Sequence, residues 1–339
     1  RTQSPASRMC PMYRENPAEE NSPRAKASLM ASLLSGRLDP AALGQDAVRT
    51  IADTCFNCHQ CRLECSAGVD VPALVMQLKG AHVAENSLGL SAWLLSRVDG
   101  LSRWGGMVAP LANAAIADPR ARWILEKTVG IAQGRKLPRF TGNRTMRWAA
   151  RRGLTRPSRR GGPRVLLFLD TYARRHDPLL VEALVAILER HGVGVSIDPR
   201  QRASGMPLVA AGDLSAARKV AAANLRVLAE AVRLGYRIVC TEPSTVTCIM
   251  HDYPRLLEDD EMERVRLRRV FTQKLDAVIG YFPAALAAIG AARMLPRSIS
   301  GIGRSSWPST ALARLMPFHG ATTSRQPSIR PSVMCNPTD

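Results

Sequence analysis

Cys55-Phe56-Asn57-Cys58-His59-Gln60-Cys61-Arg62-Leu63-Glu64-Cys65 is a C-x2-C-x2-C-x3-C run. Three thiolates on so short a loop can grip one face of an iron–sulfur cube, and the fourth cysteine of such a run points away and serves the neighbouring cluster in two-cluster ferredoxins. Pro usually follows that fourth cysteine; here it is Ser66. Cys10-Pro11 looks like the end of an earlier, incomplete run of the same kind. By this crossed logic Cys10 completes a [4Fe–4S] cluster with Cys55, Cys58 and Cys61. Cys65 is left to a second cluster, incomplete in this sequence, whose other ligands are expected before Arg1. The chain starts without Met, so missing upstream sequence is expected. The chemistry of such a site is one-electron transfer at a potential of roughly −700 to +450 mV, set by burial, charge and hydrogen bonds to sulfur.

Other readings of the same residues are blander. Four thiolates could hold zinc, although zinc sites are usually built from separated C-x2-C pairs. His59, between two ligands, reads as a polar loop residue. Cys240 ends a strand and reads as a small core thiol; Cys248, on a following helix, is a weak candidate ligand. Cys335 has no assigned role. No Ser/His/Asp set, no catalytic carboxylate pair and no G-x-G-x-x-G after a strand stand out, so no flavin or nicotinamide site is expected in the chain itself.

The elements that must position the cysteines follow from caps and periodicity. Residues 1–21 look irregular. Ser22 as N-cap and Pro23 at the first helical position open a helix through Ala25–Leu34 that stops at Gly36. Asp39-Pro40 opens a second, about Ala41–Thr54, and Asp70 a third, about Pro72–Glu85. Residues 90–130 read as helical, with apolar residues at helical spacing in Trp93–Val98 and Trp123–Val129. Residues 151–164 are rich in Arg, Gly and Pro, with little to bury, and read as a linker. Then Val165–Leu169, Gly194–Ile197 and Arg237–Cys240 read as strands alternating with helices Leu179–His191 and Leu214–Leu234, the latter capped by Asp213. That alternation implies a parallel sheet and an α/β layer fold. A further helix is expected over Asp259–Ile279, and the pattern fades from about Leu295 into a Ser/Pro/Arg/Gly-rich, disordered tail.

Composition limits the function classes. The 339 residues are 46% hydrophobic and carry a formal net charge of +19. The basic residues are spread along the chain without a nucleic-acid motif, so a nucleic-acid partner is not expected; an acidic partner or an anionic membrane surface fits the charge better. No apolar run is long enough for a membrane-spanning helix, and the start lacks a secretory h-region. The eight cysteines, four of them clustered, suit metal-bound thiolates in a reducing compartment better than a disulfide framework.

With these residues in view, the chain resembles the iron–sulfur part of flavin-linked oxidoreductases: the glycolate oxidase iron–sulfur subunit, the C subunit of anaerobic glycerol-3-phosphate dehydrogenase and fused FAD-linked oxidases. The resemblance rests on Met9-Cys10-Pro11-Met12-Tyr13-Arg14, then Ser22 to Ala27, then the second cysteine run continuing through Val71. The second half resembles the cysteine-rich "CCG" domain of these proteins, through Leu167 to Tyr172, Ser204-Gly205-Met206-Pro207, Glu242-Pro243-Ser244 and Asp252 to Leu257. The cysteines expected in that domain are replaced by Ala203, Ser204 and Thr245, and one copy of it is recognisable where two are usual. The resemblance implies a cluster domain over 1–86, which is α-helical and ferredoxin-like, a helical extension over 87–150, a linker over 151–164, a degenerate Rossmann-like CCG domain over 165–282 and an unpatterned tail over 283–339. It implies FAD on a partner or a missing upstream domain, oxidation there of a 2-hydroxy acid or glycerol-3-phosphate, and electrons passed through this chain toward a quinone or membrane-anchored acceptor. The expected location is cytoplasmic, or peripheral at the inner face of the membrane. The alternatives are a non-catalytic, metal-stapled docking module and a fragment of a decayed oxidase.

Overall fold

The computed structural model describes residues 10–158 and 162–258, together with the backbone of 277–278. Helices come first. α1 is Pro11–Glu15, followed by a 3-10 turn at Glu19–Asn21, where the sequence reads as irregular: five residues opened by Pro carry too little periodicity to register. α2 is Pro23–Leu34, with the Ser22 hydroxyl accepting from Ala25 N at 2.9 Å, the expected N-cap. The second expected helix is broken: Pro40–Gly44 forms a 3-10 turn and α3 is Asp46–Asp53. α4 (Gln60–Glu64) and α5 (Val71–Asn86) follow, α5 capped by Asp70 accepting from Ala73 N. Residues 90–130 form four short helices: α6 (Leu90–Ser96), α7 (Val98–Met107), α8 (Ala109–Ala117) and α9 (Pro119–Val129). Next is α10, Arg144–Arg151.

The expected linker is more anchored than its composition suggests. Arg151 ends α10 and Arg164 begins the first strand, while Leu154 is buried and its carbonyl accepts from Ile197 N at 2.8 Å. The α/β part then runs β1 (Arg164–Phe168), α11 (Thr171–Arg175), α12 (Pro178–Arg190), β2 (Gly194–Ser196), α13 (Met206–Ala211), α14 (Leu214–Arg233), β3 (Arg237–Cys240), α15 (Pro243–Thr247), a π-helical turn at Cys248–Asp252, and α16 (Tyr253–Leu256). The sheet order is β2-β1-β3, all parallel, with Val165 beside Val195 and Leu167 beside Val239. Ala277–Val278 adds a short parallel strand, β4, next to β3. The helix expected over Asp259–Ile279 therefore does not reach 277–278; the rest of it lies outside the described residues, as does the tail from residue 283.

Alternation along the strands splits the core in two, as a parallel sheet covered on both faces requires. Leu166, Phe168, Ile238 and Cys240 pack with α14 and the segment around Ile249 and Tyr253. Val165, Leu167, Leu169 and Val239 pack with α10 and α12. A third cluster, Met30, Val48, Ala52, Cys61, Val71, Val75 and Leu78, ties α2, α3 and α5 to the cysteine loop. Met76 of α5 belongs to the sheet's core, so the cysteine-bearing helices and the α/β part share packed apolar surface.

That junction is tight at Gly212, which ends α13 at φ +86°; a Cβ there would lie 2.7 Å from the carbonyl oxygen of Lys79 on α5. Gly212→Ala should therefore cost roughly 2–4 kcal/mol, from left-handed backbone strain plus overpacking. Thermal unfolding measures it, and an unchanged midpoint would mean that α5 and α13 do not pack this closely.

Candidate metal centre

The cysteine loop is shaped by two non-glycine residues in left-handed backbone, Asn57 at φ 55° and His59 at φ 58°. Asn tolerates this region better than most residues, and both positions bend the chain back between α3 and α4. Both side chains are buried, so packing holds the strained turn in place. Cys55 leaves the end of α3, Cys58 lies in the turn and Cys61 is on α4 with its side chain buried. Cys10 arrives separately as the N-cap residue of α1, with its thiol 3.8 Å from the Asn21 carbonyl oxygen.

One cavity of about 350 Å³, counted with its open mouth, is lined by Cys10, Cys55, Cys58 and Cys61. Its other walls are chiefly apolar, with Met12, Phe56, Val71 and Pro72 among them, and Lys26 supplies a cation. Cys65, at the C-terminal end of α4, is not among the lining residues. The four thiols face a shared volume, not a single point: among the described residues no three His, Cys, Asp or Glu are grouped to hold one metal ion. A single tetrahedral ion with metal–sulfur bonds near 2.3 Å needs its sulfurs about 3.8 Å apart, whereas a four-iron cube needs its four outer thiolates spread more widely. Four sulfur donors around an apolar cavity suit such a cube.

The electrostatics fit the same conclusion. Burial raises the thiols of Cys55 and Cys58 above their ordinary range. Cys61 is pushed up to about 12, first by burial and then by the neighbouring sulfurs of Cys55, Cys58 and Cys10. Four converging thiolates would repel one another in low dielectric, and holding them deprotonated together needs positive charge. Two buried ammonium groups stand against that negative charge. Lys26 donates to the carbonyls of Glu20 and Asn21, and Lys79 donates to those of Cys55 and Ala210, each of the latter at 2.9 Å. Lys79 therefore ties the cysteine loop to α13.

Behind the loop, a polar seam joins it to the α/β part. The His59 ring lies 4.7 Å from that of His251, and its Nε2 is 3.4 Å from Asp252 Oδ1. Arg62 contacts His251 Nδ1 at 2.8 Å and pairs with Asp70, which also receives Arg255 at 2.5 Å. From sequence His59 reads as a plain loop residue, and His251 does not stand out.

Ser204 and Thr245 also converge, on a carboxylate. Asp170, just after β1, accepts from Ser204 N at 3.1 Å and from the Thr245 hydroxyl at 2.5 Å. Ser204 O in turn accepts from the Tyr253 hydroxyl at 2.8 Å and from the Cys248 thiol at 3.6 Å, and Asn224 donates to Ala203 O. Cys240 and Cys248 are fully buried in the sheet's core, and burial raises both thiols. Glu242 is pushed up to about 7 by burial and by the charge of Asp170.

With this geometry described, comparison with known proteins places the N-terminal segment in a class. Residues 6–70 match the family model of the 4Fe-4S dicluster domain, a span that holds Cys10 and the whole 55–65 run. The cysteine-bearing segment is thus an iron–sulfur, electron-transfer domain, as the resemblance implies. The chain is more particularly related to the C subunit of anaerobic glycerol-3-phosphate dehydrogenase from Escherichia coli K12 and from Escherichia coli O157:H7, at 26% identity over 172 residues in each case. The matched stretch is 50% of this chain and 43% of the relative, so the chain spans less than half the length of the curated relatives it matches. No solved structure matches the chain.

The seam predicts a pH dependence. Burial, with the neighbouring His59 and Arg62 charges, holds His251 down at about 4, against an ordinary 6.5. Between those values the unfolded chain binds the proton first, so stability falls as pH drops from 6.5 toward 4. After allowance for a half-exposed ring the effect is about 1 kcal/mol. Denaturant unfolding from pH 7 to 4 should show a steeper loss in the natural chain than in His251→Gln; parallel curves would remove His251 from the account.

Proposed function

We propose that this chain is an electron-transfer component of a flavin-dependent dehydrogenase, with Cys10, Cys55, Cys58 and Cys61 holding one [4Fe–4S] cluster and Cys65 serving a second. The observation that carries it is the cavity shared by Cys10 and three cysteines of a loop about forty-five residues away. When bound, the cluster supplies a one-electron carrier. The residues of the chain do the rest. The four thiols bind it, Phe56 and the apolar walls limit water, and Lys26 and Lys79 offset its negative charge. In this reading residues 1–86 are the cluster-bearing part, and residues 165–282 provide a docking shape for a flavoprotein subunit or domain that carries FAD. The relative's name supports glycerol-3-phosphate as the substrate oxidised on that partner, a 2-hydroxy acid being the other substrate class; the electrons leave toward a quinone or similar acceptor.

The ligand assignment is tested by iron and sulfide per chain, with reduced-state EPR, after anaerobic reconstitution. Cys10→Ser should lower cluster content about as far as Cys58→Ser, while Cys65→Ser should do little in this chain. Equal loss from Cys65→Ser and none from Cys10→Ser would put all four clustered cysteines on one cube, and a colourless protein rich in zinc would overturn the redox reading.

The charge balance is tested separately. Lys79→Met removes a buried cation near the cluster and should move the midpoint potential negative, on the order of tens of millivolts. A potentiometric EPR titration reads it; an unchanged or more positive midpoint would show that Lys79 acts only as a structural tie between the loop and α13.

A further inference from the structure

Positive charge is left unbalanced where α7 packs on α11. Arg174 and Arg175 stand on α11, and Arg103 on α7. The two helices are joined there by Ser102 and His176, 3.1 Å apart. One carboxylate shares the cluster: Asp99, whose Oδ1 is 3.9 Å from Arg175 Nε, beyond hydrogen-bond distance. Burial, then the charge of Arg175, holds the Arg174 guanidinium below its ordinary range, with Arg103 adding to the repulsion and Asp99 relieving part of it. His176 supplies no counter-charge; its ring faces the Ser102 hydroxyl and the Arg139 carbonyl oxygen.

The polar atoms of this cluster are also short of partners. Arg174 Nη1 donates to the Gln201 carbonyl at 2.8 Å, but its Nε is buried with no hydrogen-bond partner, as is Arg175 Nε. The Gln201 side chain is 2% exposed, and neither its Oε1 nor its Nε2 has a partner. Water would satisfy such atoms one by one, but it does not balance the charge of a buried guanidinium. An oxyanion does both, because the planar fork of Arg matches carboxylate and phosphate oxygens. The place fits the fold: α11 follows the carboxyl end of β1, and Gln201 follows that of β2. Open parallel sheets take ligands at that edge. Arg103 is exposed, so the cluster has a way in from solvent. None of these residues lines the cysteine cavity.

We propose that Arg103, Arg174 and Arg175, with Gln201 beside Arg174, form a binding site for an oxyanion, a carboxylate or a phosphate, separate from the cysteine cavity. Two sources carry such a group: a small free anion, and the acidic side chains of a docking protein. The site stands whether or not the chain carries an iron–sulfur cluster.

Thermal unfolding of the cluster-reconstituted full chain tests it in chloride, inorganic phosphate and malonate at equal ionic strength, and in chloride with poly-L-glutamate added. Phosphate or malonate should raise the midpoint by a few degrees over chloride, as a ligand of the folded state does. Arg174→Gln and, separately, Arg103→Gln should remove most of that rise. Arg152→Gln, which takes away a half-exposed cation already paired with Glu189, should keep it, which separates the site from a general salt effect. An unchanged far-UV circular dichroism spectrum checks that each variant folds, and Arg103→Gln, at an exposed position, carries the test if Arg174→Gln does not. A rise with poly-L-glutamate alone, lost in both variants, would assign the site to the acidic side chains of a partner. Equal midpoints in all four solutions, or variants that respond as the natural chain does, would overturn the proposal. A chain that takes up no iron yet keeps the phosphate response would count against the electron-transfer reading and leave this site standing.

Discussion

The structure depends on the mutual repulsion of four sulfurs brought into one buried, apolar cavity. Such an arrangement cannot be stable as thiolates without positive charge, and burial together with the neighbouring sulfurs already pushes the Cys61 thiol up to about 12. The protein sets two buried lysines beside the cavity's sulfurs. Neither lysine is a free charge held near the site. Lys26 is fixed by carbonyls of the 3-10 turn that precedes α2, and Lys79 by those of the cysteine loop and α13. The groups that balance the cavity's charge are therefore the same groups that hold its walls together.

This coupling explains why the cysteine loop and the α/β part form a continuous contact. Lys79 reaches α13, Gly212 admits the Lys79 backbone at close range, and Met76 enters the sheet's core. On the other side of the loop, Arg62 and Arg255 converge on Asp70, which also caps α5. Asp70 thus fixes both the start of the helix behind the cavity and the seam to α16. The carboxylate of Asp170 organises the far side of the same body. A buried carboxylate needs donors, and Ser204 N and the Thr245 hydroxyl provide them. A thiolate in place of the Thr245 hydroxyl would repel that carboxylate, so the hydroxyl closes the hydrogen-bonded knot.

Much of this is legible in the sequence because it rests on local signals. The caps at Ser22, Asp70 and Asp213 each satisfy an amide three residues further on, and the strands at 165, 194 and 237 are short apolar runs between turns. The C-x2-C-x2-C spacing and the Cys10-Pro11 echo carry the site itself. What stays hidden depends on residues distant in sequence. Nothing near His59 announces His251 or Asp252 as neighbours, and nothing near Ala210 announces Lys79. Pro40–Gly44 breaks the second helix because a 3-10 turn satisfies the same cap signal as an α-helix. Leu154, one apolar residue in an Arg- and Gly-rich stretch, gives no periodic hint that it anchors the chain into the core.

The segment 90–130 shows the limit most sharply. Its apolar spacing correctly implies helix, since periodicity reports which residues share a face. It does not report whether that face turns toward the core or away from it. The decision lies in what the opposite face meets: Ser102 finds His176, and Arg122 finds three carbonyls of the chain that follows α9. Three backbone carbonyls converge on Nη2 of this guanidinium, though its Nη1 finds no protein partner, and burying it leaves Trp123 and Ile124 exposed. The orientation of these helices is thus set by their polar residues. The apolar ones are left exposed.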